Sequence, residues 1–155
     1  MFRYIILLFI LVSCNLEPNN LAESKITNNE VHFDAVEKKI IFNQEVPLEF
    51  NSLLQSWYSK NIKLSGLNGK LFIYIDNYIE NITNIDNGKK VDLEFEVSFK
   101  IEKEGSISSI KRTTILIKEY STMTGDFSLN DLNETILNTQ INLINRLNTK
   151  LNNMI

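Results

Sequence analysis

From Val91 to Ile101 every second residue is apolar. Val91, Leu93, Phe95, Val97, Phe99 and Ile101 alternate with Asp92, Glu94, Glu96, Ser98, Lys100 and Glu102. A period of two over this length describes a β-strand with one face in a core and the other in water. Such a strand needs pairing neighbours and an apolar layer over one face. The rest of the chain offers both.

Ile110 to Tyr120, centred on Ile115, Leu116 and Ile117, reads as the partner strand, reached through a turn at Glu104-Gly105-Ser106. Leu71 to Ile79 reads as the strand before, ending in a polar, Asn-rich loop through Asn87-Gly88. Lys39 to Asn43 is a short β-branched and aromatic run, a first strand. Pro47 suits a helix start because its φ is already fixed. Phe50, Leu53, Leu54 and Trp57 then fall at helical spacing, with Ile62 one turn on, predicting a helix from Leu48 to Asn61 with Gly66 at its exit. Ser128 looks like an N-cap, with Asp131 three residues on as a capping box. Leu132, Ile136, Leu143, Leu147 and Leu151 form a stripe, widened by Leu129, Leu137, Ile141 and Ile144. The other face carries Asn138, Asn142, Asn145, Asn148 and Asn152, so a long amphipathic helix is expected over Leu129 to Asn152. The order β-α-β-β-β-α predicts an α+β domain, with a meander of about four antiparallel strands packed on two helices.

The N-terminus reads differently. Met1-Phe2-Arg3 carries one positive charge, and an apolar run of about nine residues follows to Val12. At about 1.5 Å per residue that run cannot cross a hydrocarbon layer of about 30 Å. It ends in Leu11-Val12-Ser13-Cys14, and Cys14 is the only cysteine of 155 residues. A positive start, a short apolar stretch, small residues and a cysteine match the signal read by the bacterial lipoprotein machinery. That machinery puts diacylglycerol on the thiol, cuts before Cys14 and acylates the new amine. Residues 1–13 are therefore expected to be a signal peptide, and Cys14 the lipidation site, carrying covalent diacylglycerol and N-acyl (palmitate-type) chains. Several acyl chains together hold a protein durably on a membrane without a spanning helix. Asn15 stands where Asp retains such proteins in the inner membrane, which tilts the expectation to the outer membrane, with the domain facing the periplasm.

Residues 14–30 are polar, with Pro18, several Asn and no apolar period, and predict a flexible tether; residues 31–155 are expected to form the single domain. A lone cysteine offers no disulfide, so the domain must fold by burial alone. Without residues 1–13 the chain has 15 basic and 19 acidic residues, a net charge of −4. No basic stripe is present, which argues against nucleic acid as a partner.

Residues able to do chemistry are sparse. His32 is the only histidine, so a zinc site lacks ligands. No Gly-x-Ser-x-Gly occurs, and no Lys-Ser/Thr follows the glycines of Ser65-Gly66-Leu67-Asn68-Gly69. Glu94 and Glu96 alternate with core residues and should face water. No catalytic residue, metal or further cofactor is expected, and the protein reads as a binder and not an enzyme.

The stretch from Leu54 to Ile75 resembles a family of small alphaproteobacterial lipoproteins of unassigned function. In these, a helix bearing a Trp is followed by a charged residue, a short turn, two glycines three apart and a strand. The matching residues are Trp57, Lys60, Gly66, Gly69 and Leu71 to Ile75. Where that family carries an arginine before the turn, this chain has Asn61 nearby. At fold level the layout is also similar to the auxiliary lipoproteins of ABC-type lipid transport systems. A second fold-level likeness is to LptE, the lipopolysaccharide-assembly lipoprotein that plugs an outer-membrane barrel. These resemblances imply an accessory subunit of an envelope protein complex, using the exposed sheet face or the edge near Tyr120. Tyr58, Tyr78 and Tyr120 are the candidate partner contacts, each beside a core stripe or at a strand end. The alternative is a stand-alone binder of a small apolar or lipidic ligand, which would need a cavity of about 300 Å³ or more lined by the sheet.

Overall fold

The computed structural model describes residue 22, residues 24–103 and residues 112–154. Cys14, the signal peptide and the Glu104-Gly105-Ser106 turn lie outside these residues.

Among these described residues, six strands and two long helices follow in order. They are β1 (Val31–Phe33), β2 (Glu37–Phe42), α1 (Leu48–Asn61), β3 (Ile62–Leu64), β4 (Lys70–Ile85), β5 (Gly88–Glu102), β6 (Arg112–Thr124) and α2 (Leu129–Asn152). The main sheet runs β2-β4-β5-β6. β4, β5 and β6 form the expected antiparallel meander. β2, however, lies parallel to β4, because α1 carries the chain back to the end at which β2 began. The fold is thus α+β with a mostly antiparallel four-stranded sheet. Its one parallel pair departs from the all-antiparallel expectation. A second small sheet pairs β1 with β3 in parallel.

The alternation read in β5 sets the layers. Val91, Leu93, Phe95, Val97 and Phe99 are buried, as are Leu71, Ile73 and Ile75 of β4 and Ile115 and Ile117 of β6. Onto this face α1 sets Phe50, Leu53, Leu54 and Trp57. From α2 come Ile141, Leu143, Ile144, Leu147 and Leu151. Ile62 does not continue the helix. Its extended backbone opens β3, where a β-branched side chain packs well. Ser128 and Asp131 form the full reciprocal capping box. On β6, Leu116 and Lys118 offer their carbonyls to α2: Arg146 Nη1 donates to Lys118 O (2.9 Å) and Lys150 Nζ to Leu116 O (3.0 Å).

β4 runs six residues beyond its expected end, to Ile85, and turns into β5 through Asp86 and Asn87 alone. Asn87 takes φ 59°, a left-handed conformation that asparagine tolerates. The expected loop is strand because Asn81, Ile82 and Thr83 pair with Asp92, Val91 and Lys90. Beyond the reach of the helices a strand can be polar on both faces. Gly88 follows the turn because a Cβ there would stand 1.9 Å from Met123 O.

The segment before β1 is a second correction. Ala22 and Ile26 are buried in the core, and the chain between them and β1 lies along α2. Lys25 Nζ donates to Asn138 Oδ1 (3.2 Å), and the Thr27 N–H donates to Asn145 Oδ1 (2.8 Å). Asn148 Nδ2 donates to Asn29 O (2.8 Å). Part of the predicted tether is therefore domain, and part of the Asn-rich helix face is an interface with backbone. Asparagine suits that role because one side chain both accepts and donates.

Candidate functional site

Two faces could meet a partner: the sheet face turned away from the helices, and the layer where helices and sheet ends meet. The three candidate tyrosines are divided between them.

Tyr58, on α1, is half-buried. Its hydroxyl donates to Lys38 O (2.7 Å). Lys38 lies over its ring at 4.4 Å and donates to Tyr58 O (2.8 Å) and Ile62 O (2.5 Å). Burial raises the phenol pKa and, with Lys63 nearby, lowers that of Lys38. The pair ties β2 to α1. Tyr78 lies opposite Phe95 on the covered face and stacks on Phe50 at 4.4 Å. Its hydroxyl donates to Glu80 Oε2 (2.7 Å) and accepts from Gln140 Nε2 (3.0 Å). Burial and the Glu80 carboxylate hold the phenol protonated far above its ordinary range. Tyr120 lies opposite Asp92 on the open face and is 66% exposed, with Lys90 at 5.3 Å from its ring. The structure does not bring the three together. His32, on β1, is exposed and lies 3.7 Å from Glu30. Among the described residues no three His, Cys, Asp or Glu side chains gather as a metal site.

The open sheet face has two parts. Toward the toe of β4 it carries a polar seam that the sequence reading missed. Asp76 sits in a bulge, where the register slips between Ile75 and Asn77. Its carboxylate accepts from Asn43 Nδ2 (2.7 Å), from Ser98 Oγ and from Arg112 Nη2 (2.9 Å). Ser98 in turn meets Thr114 Oγ1 at 2.9 Å. The seam links the end of β2 with β4, β5 and β6. Phe72 and Tyr74 lie beside it, and Arg112 covers the Tyr74 ring at 5.3 Å. The hint in the sequence was Ser98, the one uncharged residue in the otherwise charged, outward row of β5. Farther along, Glu94 pairs with Lys118 and Asp92 with Lys90 (2.6 Å). Leu116 (42% exposed) and Tyr120 stand open on β6 on either side of Lys118, and Ile79 (38%) stands open on β4 beside Glu94.

Burial alone would raise the Asp76 pKa, but hydrogen bonds from Ser98, Arg112 and Asn43 and the guanidinium charge outweigh it and leave the pKa lowered. A carboxyl with a depressed folded pKa stabilises above its unfolded value of about 3.9, and the effect is lost as pH falls through the folded value. Asp76→Asn is accordingly expected to lower the melting temperature at neutral pH by about 4–8 °C. The gap to wild type should close below about pH 4. Melts across that range check this, and a gap that persists in acid would mean the charge is not what holds the seam.

The molecule is a two-layer α+β domain with two helices on one face of a four-stranded sheet. No protein-family model matches the sequence, and no curated protein matches it. Solved structures do. A minor lipoprotein from Acinetobacter baumannii is similar over 77% of this chain and 89% of its own, at 14% identity and a TM-score of 0.47. A Caulobacter crescentus protein described as a lipoprotein is similar over 84% of this chain and 88% of its own, at 10% identity and a TM-score of 0.43. A Helicobacter pylori protein described as a neuraminyllactose-binding hemagglutinin homologue covers 81% and 89%, at 13% identity and a TM-score of 0.32.

Proposed function

We propose that this chain is a lipid-anchored envelope protein whose domain works by binding, as a non-catalytic accessory subunit of an envelope assembly or lipid-transport complex. The observation that carries the reading is the sheet face left open by the helices, where Leu116, Ile79 and Tyr120 lie among paired charges. Exposed apolar and aromatic side chains interleaved with paired charges are what protein contacts use. The edge of β6 is the weaker candidate, since the carbonyls of Leu116 and Lys118 are already taken. A lipidic ligand finds less support: the groove of about 430 Å³ at the helix starts is open to solvent and meets the sheet only at Glu80.

The anchor reading rests on Leu11-Val12-Ser13-Cys14. Among the described residues no helix is long and apolar enough to cross a membrane. Cys14 and the buried Ala22 are eight residues apart, at most about 28 Å of extended chain. The domain would then sit close to the bilayer, the outer membrane being favoured and the periplasm the compartment it faces.

Cys14→Ser is expected to abolish labelling by a fatty-acid probe and leave the precursor uncut; labelling equal to wild type would sink the anchor. For the partner, the full chain is purified from its native membrane. Leu116→Ala with Tyr120→Ala should reduce recovery of a co-purifying envelope protein by about tenfold or more. Its melting temperature should change by only a few degrees. If no protein co-purifies and a lipid does, the small-ligand binder replaces this reading.

A further inference from the structure

The two edges of the main sheet are not alike. On β6, Arg146 and Lys150 occupy the Lys118 and Leu116 carbonyls. On β2 the ladder shows which groups face out. The Glu37 N–H donates to Gly69 O (3.4 Å) and the Asn43 N–H to Ile75 O (3.0 Å), so the odd-numbered residues bond to β4. Backbone groups of successive strand residues point to opposite sides, so Lys38, Ile40 and Phe42 present theirs to the outside. The Lys38 carbonyl is taken by the Tyr58 hydroxyl (2.7 Å). Among the described residues nothing bonds to the N–H or C=O of Ile40 or Phe42. Two donors and two acceptors thus stand open on Ile40-Ile41-Phe42, a run with neither proline nor charge to block pairing.

A second observation lies beside Phe42. An open groove of about 570 Å³, lined by Phe42, Asn43, Gln44, Glu45, Val46 and Asn51, separates the end of β2 from α1. Ile40 and Phe42 lie on the helix side of the sheet, packed on the core but only half-buried, and Ile41 lies on the open face. These free groups are self-complementary. With two β2 strands antiparallel about a twofold axis at Ile41, Ile40 of each copy stands opposite Phe42 of the other. Such outward residues exchange both bonds, four in all, which uses all four free groups. On the helix side Ile40 of the second copy meets Phe42 at the groove, and on the open face Ile41 meets Ile41. A shift of one step fails. Centred on Ile40, the pairing needs the Lys38 carbonyl. Centred on Phe42, it needs Gln44, which lies past the strand end with its side chain held at Tyr78 O (2.9 Å). Charge agrees: Lys39 would stand opposite Asn43 of the second copy, one step from Glu45. Among the described residues neither Lys39 nor Glu45 has an ion-pair partner, and Glu37 is held by Lys70 (3.0 Å).

We propose that the chain pairs with a second copy of itself through β2, joining two four-stranded sheets into one of eight strands. The axis of such a pair is perpendicular to the sheet, so both helix layers face the same way. Residues 24–29 lie on α2, and Cys14 stands eight residues before Ala22, so both chains would reach one membrane from the helix side. Four backbone bonds and three apolar contacts make a weak interface, but copies held on one surface meet at a raised effective concentration. With Arg146 and Lys150 closing the far edges, the pairing ends at two. The inference goes beyond the accessory reading, leaves the open sheet face free for another partner, and shares with that reading only the anchor.

The test oxidises the full chain in its own membrane with copper-phenanthroline and reads dimers on non-reducing gels. Ile41→Cys should give a band at twice the mass. The two positions 41 face each other as a non-hydrogen-bonded pair, with Cα atoms about 4.5 Å apart and within disulfide reach. Lys39→Cys should not, since the two positions 39 would be about 13 Å apart. Ile41→Lys sets two ammonium groups against each other outside the core. It should weaken self-association of the detergent-solubilised chain by about tenfold or more in sedimentation equilibrium, with the melting temperature changed by only a few degrees. No dimer from Ile41→Cys, equal dimer from both cysteine variants, or unchanged association of Ile41→Lys would overturn the pairing. A cross-linked band at another mass in place of the dimer would overturn the second copy as occupant. Wild type is the control for the anchor: with its Cys14 thiol acylated it should not cross-link. Cross-linked wild type would sink the anchor alone, and the same variants on a Cys14→Ser background would then decide the pairing.

Discussion

Phe95→Asp is expected to leave the domain unfolded at room temperature, while Glu94→Lys, one residue away, melts within a few degrees of wild type. Phe95 is fully buried at the centre of β5, and its ring meets the edge of Phe50 at 5.2 Å. Phe50 in turn stacks on Tyr78, so the position joins sheet to helix. An unpaired carboxylate there loses the aromatic contacts and its own hydration. The combined cost is several kcal/mol, against a total stability of about 5–15 kcal/mol. Glu94 faces the open side, where it pairs with Lys118. Reversing its charge loses an exposed pair and adds a repulsion, together about 1 kcal/mol or less. Thermal melts followed by circular dichroism decide between them. Equal melting temperatures would mean that the two faces of β5 are the wrong way round.

Asn148→Ala is expected to be the most damaging change at a polar position, lowering stability by about 2–5 kcal/mol. Asn148 is fully buried. Its Oδ1 accepts from Trp57 Nε1 (3.2 Å) and its Nδ2 donates to Asn29 O (2.8 Å). Removing the amide leaves an indole N–H and a backbone carbonyl unpaired in the core, each costing about 1–3 kcal/mol. It also frees the segment that Asn61 holds through the Asn29 N–H (2.9 Å). Hydrogen exchange should report the second effect separately, as lost protection from Thr27 to Asn29. A variant as stable as wild type would show that water, and not Asn148, satisfies Trp57.

Asn148 also shows where sequence reading stops. Phe95 was legible as core because apolar side chains recur with the period of a strand. Phe50, Leu53, Leu54 and Trp57 were legible because they recur with that of a helix. Asn148 follows the polar rows of α2 and so reads as solvent-facing. Its burial depends on residues 24–30 lying across it, and that contact is backbone to side chain with no apolar period to announce it. The pairing of β2 was illegible for a related reason: alternation tells which face is buried, not which way the neighbour runs. Of the open face, Tyr120 was legible as an aromatic of the last strand, although β6 runs on past it to Thr124. Asp76 was not, because it gains its partners through a one-residue bulge and from three other strands or strand ends. Glu80 was hidden because it looked like loop, and Gln140 because it is a polar residue interrupting the apolar stripe of α2 between Ile136 and Leu143.

The contacts from α2 to the outer edge of β6 have a consequence for copies crowded on one surface. A bare strand edge is a template on which another chain can add, and a thirteen-residue edge is long enough for that. Arg146 and Lys150 occupy two successive outward carbonyls near its middle, at Lys118 and Leu116. An incoming strand would have to displace both cations and bring its own backbone beside two positive charges. The helix that completes the core thereby also keeps the sheet from growing into its neighbours.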